Sequence, residues 1–145
     1  MKSVFDENNI RLNAAFANKE EAIEAAGRIL VDNGYVAEEY ISDMLKREEI
    51  VTTYMGNHVS IPHGVSDSES RIMHSGISFI QVPEGVRFDE ENIAYLIIGI
   101  AGKQNEHLEI LSNIAIVCSE LSNIEKLKNA ATKQEIMGLF TGVLR

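Results

Sequence analysis

His63 is the residue whose setting most favours chemistry. It lies in the stretch Thr53–Gly64, where a proline precedes it directly and a glycine follows it. Proline fixes φ and glycine leaves φ almost free, so the imidazole stands on a shaped turn with an open approach. The same tripeptide is also typical of a turn that ends a strand, and by itself it favours that simpler interpretation.

The other chemically capable side chains fit structural roles better. Cys118 is the single cysteine, which excludes an intramolecular disulfide, and its apolar neighbours predict a buried, inert thiol. The segment Ser66–Glu69 carries only two carboxylates and is more typical of a solvated loop than of a metal site. A metal site could also use the four histidines, but no pair has a standard close ligand spacing on a predicted helix. These histidines are His58, His63, His74 and His107.

Composition narrows the class of protein. Residues 1–145 are expected to form one domain with a sizeable core, because 45% of them are hydrophobic and 24% are charged. The net charge of −9 argues against non-specific nucleic-acid binding and suits a protein partner with a basic surface. No apolar run approaches the roughly 20 residues that span a bilayer, so direct membrane insertion is not expected. The N-terminus also lacks the apolar centre of a signal peptide, and we expect a reducing, cytoplasmic location.

Helices are predicted on both sides of a strand-rich middle. Asn18 is expected to cap a helix that ends at Asn33-Gly34, and a second helix is predicted from about Ala37 to Glu49 with Arg47 near its end. His74 is expected to begin a strand and to have a structural role. The predicted extended segments are Asn9–Leu12, Ile50–Met55, Val59–Ile61, Gly76–Val82 with a turn at Pro83-Glu84-Gly85, and the central strand Ile93–Ala101.

The C-terminal part predicts three further helices. The first has His107 in its opening turn and Asn105 as its N-cap, and capping boxes at Ser122–Glu125 and Thr132–Glu135 predict the other two. The apolar stripe predicted for the first helix is Leu108, Leu111, Ile114, Ala115, Cys118 and Leu121. Together these elements predict a single α/β domain with a mixed central sheet covered by helices on both faces, in three layers.

Two motifs carry a family resemblance. Tyr54-Met55-Gly56-Asn57 leads into Ile61-Pro62-His63-Gly64, and Gly99-Ile100-Ala101 leads into Asn105-Glu106-His107-Leu108. With these motifs the chain resembles enzyme IIA of the bacterial sugar phosphotransferase system, of the mannitol/fructose type, and most of all the free-standing mannitol-specific branch. The similarity covers nearly the whole chain, including Asn18–Ile23, Leu45–Glu49 and Pro83–Phe88.

The resemblance implies a mechanism and its residues. Family members are α/β phosphotransferases that take a phosphoryl group from phosphorylated HPr on one histidine and pass it to a cysteine of enzyme IIB, alone or fused as IICB. By this resemblance His63 is phosphorylated at Nε2 while its Nδ1–H is donated to a backbone carbonyl. His107 matches the second active-site histidine and Arg47 a nearby basic residue. The chain departs from the pattern at His58 and Ser60, where relatives usually carry small residues.

The residue types agree with this chemistry. An imidazole with an ordinary pKa of about 6.5 is a neutral nucleophile near pH 7 that can both accept and surrender a phosphoryl group. In the first turn of a helix, His107 would stand beside free N–H groups and the positive end of the helix dipole, where a phosphoryl anion is stabilised. Such a relay between proteins requires no cofactor and no metal.

Two questions stay open at this point. A fructose-type enzyme or a regulatory enzyme IIA-like module that reports phosphorylation to a transcription or transport protein would share the same sequence pattern. Partner docking also predicts an apolar ring around His63, for which Val59, Ile61 and Val65 are candidates, surrounded by acidic residues.

Overall fold

The near-continuous apolar run Ile93–Ala101 is the central strand of a mixed five-stranded sheet. In the computed structural model, which describes residues 2–103 and 106–140, the sheet contains β1 (Ile10–Arg11), β2 (Tyr54–Gly56), β3 (Val59–Ser60), β4 (Gly76–Arg87) and β5 (Ile93–Ala101). Their order is β1-β4-β5-β3-β2. Strand β5 runs parallel to β3 and antiparallel to β4, so it is hydrogen-bonded on both edges and buried on both faces, as predicted.

Helices cover both faces of the sheet and confirm the three-layer α/β prediction. Alternate side chains of β4 and β5 enter opposite cores, since Phe79 and Ile98 pack on one side and Ile80 and Ile97 on the other. The helices α1 (Lys19–Asp32) and α2 (Glu39–Ile50) lie over the second of these faces, and α3 (Glu106–Cys118), α4 (Leu121–Asn129) and α5 (Lys133–Phe140) over the first.

Two predicted caps are confirmed. The Asn18 side chain accepts a hydrogen bond from the Glu21 backbone N–H (2.9 Å), which fixes the start of α1. The Thr132 hydroxyl accepts from the Glu135 N–H (3.2 Å) at the start of α5. The predicted cap Asn105 lies outside the described residues.

The predicted turn at Pro83-Glu84-Gly85 is wrong, because β4 continues through it to Arg87. The pairing of β4 with β5 shifts register between Gln81 and Val86 and then resumes, so the segment is a bulge within a long strand. A bulge accommodates a proline that cannot donate to the ladder and a glycine with a φ of +82°.

Other boundaries and faces also differ from the predictions. Helix α2 runs to Ile50, so the extended chain that leads to β2 begins later than predicted. Leu108 is exposed, since α3 turns Ile110, Ile114 and Val117 toward the sheet instead, and Leu121, which is also exposed, lies in α4 and not in α3. The capping box predicted at Ser122 is wrong because α4 already begins at Leu121, after an extended Glu120. Among the described residues, no helix is long and apolar enough to cross a membrane.

Candidate functional site

His63 lies where β3 ends, beside the end of the central strand. It forms an isolated parallel bridge with Ile100, whose N–H donates to the Pro62 carbonyl (2.9 Å). On the other side, the Ile61 N–H donates to the Thr53 carbonyl (3.0 Å). The proline peptide and the imidazole are therefore held between two backbones, at the carboxyl edge of the parallel strands where α/β folds place their sites.

The His63 ring has a defined tautomer. Its Nδ1 lies 2.8 Å from the Ile61 carbonyl oxygen, and because a carbonyl only accepts, Nδ1 must carry the hydrogen. Nε2 then has a free lone pair. Burial lowers the pKa of His63, and repulsion from Arg47 and from His107 when it is protonated acts in the same direction, while the Ile61 carbonyl and Glu48 oppose these effects. The half-buried ring is thus a neutral base near pH 7.

His107 stands next to this ring. It is the second residue of α3, and its ring centroid is 5.2 Å from that of His63. Gly102 allows the approach, because a Cβ there would lie 2.8 Å from the backbone nitrogen of His107. Burial lowers the pKa of His107 as well, so two neutral imidazoles share the site.

Arg47 is placed at the edge of the site. It lies in the last turn of α2, half-buried, and its Nη1 donates to the Val51 carbonyl (2.6 Å). Its charge is close enough to lower the pKa of His63, but the guanidinium is bound to its own helix end. Of the three predicted residues, His63 and His107 are in ring contact and Arg47 contributes an electrostatic effect.

A small cavity adjoins His107 and the chain directly after His63. Its volume is about 190 Å³, and its walls include Tyr40, Gly64, Ser68, Gly102 and His107. The buried Tyr40 hydroxyl accepts from the Gly64 N–H (2.9 Å) and donates to the Ile100 carbonyl (2.8 Å), which fixes the chain directly after His63. The sequence did not indicate this role for Tyr40; the signal that could have found it is Gly64, whose missing Cβ makes room for the tyrosine ring.

The remaining candidates lie apart from this pair. His58 is exposed at the other end of β3, and its Nδ1 contacts the Ile93 carbonyl (3.0 Å). His74 is an exposed bend residue and does not begin β4, which starts at Gly76. Cys118 is buried, as predicted, and burial raises the pKa of its thiol to about 12. Among residues 2–103 and 106–140, no three histidine, cysteine, aspartate or glutamate side chains cluster as a metal site.

Two further expectations concern the surroundings of His63. The segment Ser66–Glu69 is exposed except at Ser68, in line with the solvated segment expected, although it belongs to a 3₁₀ segment, Ser66–Arg71, rather than to a loop. Arg71 binds the buried Asp43 carboxylate of α2 (2.7 Å). Val59 cannot belong to an exposed apolar ring because it is fully buried. The exposed apolar side chains that flank the site residues in sequence are Leu108 after His107, and Ile50 and Val51 after Arg47.

Comparison with known proteins identifies the class. The model of the family described as "Phosphoenolpyruvate-dependent sugar phosphotransferase system, EIIA 2" matches residues 3–142. The chain therefore belongs to this family of enzyme IIA phosphotransferases, in agreement with its α/β fold and paired histidines.

Several of the similar proteins are mannitol-specific members of this family. A mannitol-specific phosphotransferase enzyme IIA component from Bacillus subtilis is 54% identical over 140 residues, which cover 97% of this chain and 98% of the relative. The crystal structure of mannitol IIA from Escherichia coli has a TM-score of 0.89 and 40% identity, covering 94% of this chain and 99% of that one. A complex of the E. coli mannitol enzyme IIA with phosphorylated enzyme IIB has a TM-score of 0.91 and 39% identity, covering 95% and 97%.

Proposed function

We propose that this chain is a mannitol-specific enzyme IIA in which Nε2 of His63 accepts a phosphoryl group from phosphorylated HPr and passes it to a cysteine of enzyme IIB. The observation that carries the assignment to Nε2 is the 2.8 Å contact between Nδ1 and the Ile61 carbonyl, which leaves the other nitrogen as the nucleophile. The family match and the phosphorylated IIB in the related E. coli complex support the donor and acceptor classes.

The transfer occurs in two balanced steps. In the first, the Nε2 lone pair attacks the phosphorus of phospho-HPr; the Nε2–P bond forms, and the donor histidine recovers its electron pair as its N–P bond breaks. In the second, a cysteine thiolate of enzyme IIB attacks the same phosphorus, forming S–P while Nε2 recovers its lone pair. Both steps pass through a loose transition state with charge on the equatorial oxygens, so the site mainly positions groups around it.

His107 is the residue proposed to stabilise the transferring group. Its ring contacts the His63 ring, and its place in the first turn of α3 brings the positive end of the helix dipole to the same point. A neutral imidazole with a lowered pKa still carries one N–H that can donate to a phosphoryl oxygen. Arg47 supplies positive charge at the edge and is proposed to act by its field, since its Nη1 already binds Val51.

Several parts of the proposal rest on relatives. Mannitol comes from the names of the enzymes that are 54% identical, which favours mannitol over a fructose-type or regulatory role. The acceptor would be enzyme IIB, alone or within a fused IICB. We place the protein in the cytoplasm, where these partners meet, and treat residues 1–145 as one enzyme IIA domain, in line with the match to residues 3–142.

The test is reconstitution of the relay. The protein is incubated with enzyme I, HPr and labelled phosphoenolpyruvate, and the acid-labile phosphate is mapped by mass spectrometry under alkaline conditions. We expect one phosphate on His63, and its transfer to a mannitol IIB domain faster than to a fructose IIB domain. Phosphate on another residue would refute the assignment to His63, and equal or inverted transfer to the fructose domain would refute the mannitol assignment.

A further inference from the structure

A buried carboxylate lies behind the histidine pair. The Glu48 side chain, in the last turn of α2, is only 3% exposed, yet it accepts four hydrogen bonds. Oε1 accepts from the Thr53 N–H and hydroxyl (both 2.7 Å), and Oε2 accepts from the Thr52 hydroxyl (2.6 Å) and from Lys19 Nζ (3.2 Å). Burial acts to raise the pKa of Glu48, but these bonds outweigh it and hold the pKa below its ordinary value. The group is therefore a fixed negative charge.

Thr53 connects this carboxylate to the segment that carries His63. Its carbonyl accepts from the Ile61 N–H (3.0 Å), and the carbonyl of Ile61 in turn accepts from His63 Nδ1 (2.8 Å). Its hydroxyl also lies 3.1 Å from the Ser60 hydroxyl. Because Thr53 donates its only hydroxyl hydrogen to Glu48, Ser60 must be the donor in that contact. Two routes of hydrogen bonds thus run from Glu48 to the residues around Ile61.

We propose that Glu48 and Thr53 are positioning residues for His63, which hold the Ile61 carbonyl where it receives the Nδ1–H and so keep Nε2 free. The contacts join the end of α2, the chain entering β2 and the end of β3. This inference rests on the proposed function for its effect on transfer, whereas its effect on the tautomer of His63 does not depend on any reaction.

The negative charge of Glu48 has a second effect, which a neutral side chain at this position would lack. When Nε2 carries a phosphoryl group and Nδ1 keeps its hydrogen, the ring is formally cationic, and a nearby negative charge stabilises it. Around His63, Glu48 acts to raise the pKa, while Arg47 from the same helix and His107 from α3 act to lower it. Glu48 thereby offsets the positive charge that the phosphoryl group itself needs.

The chain offers a matched set of variants. Thr53→Val removes the hydroxyl that joins Glu48 to Ser60, and Thr53→Ser restores it. Thr52→Val removes a hydrogen bond of similar length to the same carboxylate, together with the one that the Thr52 hydroxyl accepts from the Tyr54 N–H (3.2 Å). Thr52 is exposed, and neither of these bonds leads to Ile61 or Ser60. Glu48→Gln keeps the shape and removes the charge.

The tautomer is read from the ¹⁵N chemical shifts of His63 at neutral pH, and transfer from the rate of phosphate uptake from phospho-HPr. We expect the wild type, Thr52→Val and Thr53→Ser to show a single Nδ1–H form. Thr53→Val should show both tautomers and about tenfold slower uptake, in proportion to a charge-assisted hydrogen bond. Glu48→Gln should lower the pKa of His63, which loss of a merely structural contact would not do.

The possible outcomes test this inference independently of the proposed function. A folded Thr53→Val protein with a single Nδ1–H form and wild-type uptake would overturn it, as would an unchanged pKa in Glu48→Gln. If Thr53→Val does not fold, Ser60→Ala removes only the hydroxyl contact, and an unchanged tautomer there would overturn the side-chain route. A wild-type protein that takes no phosphate on His63 refutes the proposed function, while the tautomer comparison still stands.

Discussion

The two ends of β3 carry the same arrangement with different surroundings. At each end a histidine has Nδ1 near a backbone carbonyl, which is Ile93 for His58 (3.0 Å) and Ile61 for His63 (2.8 Å). His58 is exposed and its ring makes a T-shaped contact with Tyr95, whereas His63 is half-buried beside His107, which lines a small cavity. A fixed tautomer is therefore not sufficient for a site. The second imidazole, the helix start and the nearby charges distinguish the two ends.

The largest predicted effect comes from exchanging the two histidines for alanine. His63→Ala should abolish phosphate uptake because it removes the nucleophile, while His58→Ala should leave uptake at the wild-type rate. The measurement is incorporation of labelled phosphate from phospho-HPr with both variants checked for folding by circular dichroism. Full incorporation in His63→Ala would show that another residue accepts the phosphoryl group.

The second-largest predicted effect is on the transfer rate when the His107 side chain is removed. His107→Ala should slow transfer by about 100-fold, the usual cost of losing one donor to a developing anion, without abolishing it. Rapid-quench measurement of the uptake rate at saturating phospho-HPr gives this number. The exposed neighbour Leu108 provides the control: Leu108→Ala should alter the dependence on HPr concentration and leave the saturated rate unchanged. A His107→Ala protein with an unchanged saturated rate would contradict the role.

A smaller effect is expected where Tyr40 holds the chain after His63. Tyr40→Phe leaves the half-buried Gly64 N–H and the buried Ile100 carbonyl without their hydroxyl partner, which should destabilise the fold by about 1–3 kcal/mol. Urea unfolding measures the change, and transfer should slow only severalfold because Nδ1 keeps its own acceptor. Tyr95→Phe at the His58 end is the matched control. Equal stabilities of the two variants would show that the hydroxyl of Tyr40 does not hold the turn.

The sequence predicts the sheet, its central strand and the histidine pair because each depends on local pattern or on a motif. The bulge at Pro83–Gly85 was missed, since only pairing with β5 turns that segment from a turn into strand. The buried face of α3 was misassigned because the helix is apolar on several sides and tertiary contact selects one of them. The sequence did not single out Glu48. Thr52 and Thr53 nevertheless follow it by four and five residues, close enough for their hydroxyls to donate to its carboxylate at the end of the helix.

The smallest predicted effect is a pH dependence of phosphate uptake and of stability, which comes from the lowered pKa of His63. Because burial lowers the pKa of His63, its ring stays neutral as pH falls through 6.5, and phosphate uptake should decline only at lower pH. Between pH 6.5 and the lower pKa of the folded protein, the folded protein binds fewer protons than the unfolded chain. The stability due to the neutral ring is therefore complete above about pH 6.5 and is lost as pH falls from there through the pKa of His63 in the folded protein. Comparing urea unfolding of the wild type and His63→Gln between about pH 5 and 7.5 isolates the contribution of His63 to the free energy of unfolding. An NMR titration gives the pKa of His63 directly. A midpoint for His63 at or above 6.5 would show that Glu48 and the Ile61 carbonyl outweigh burial, Arg47 and His107.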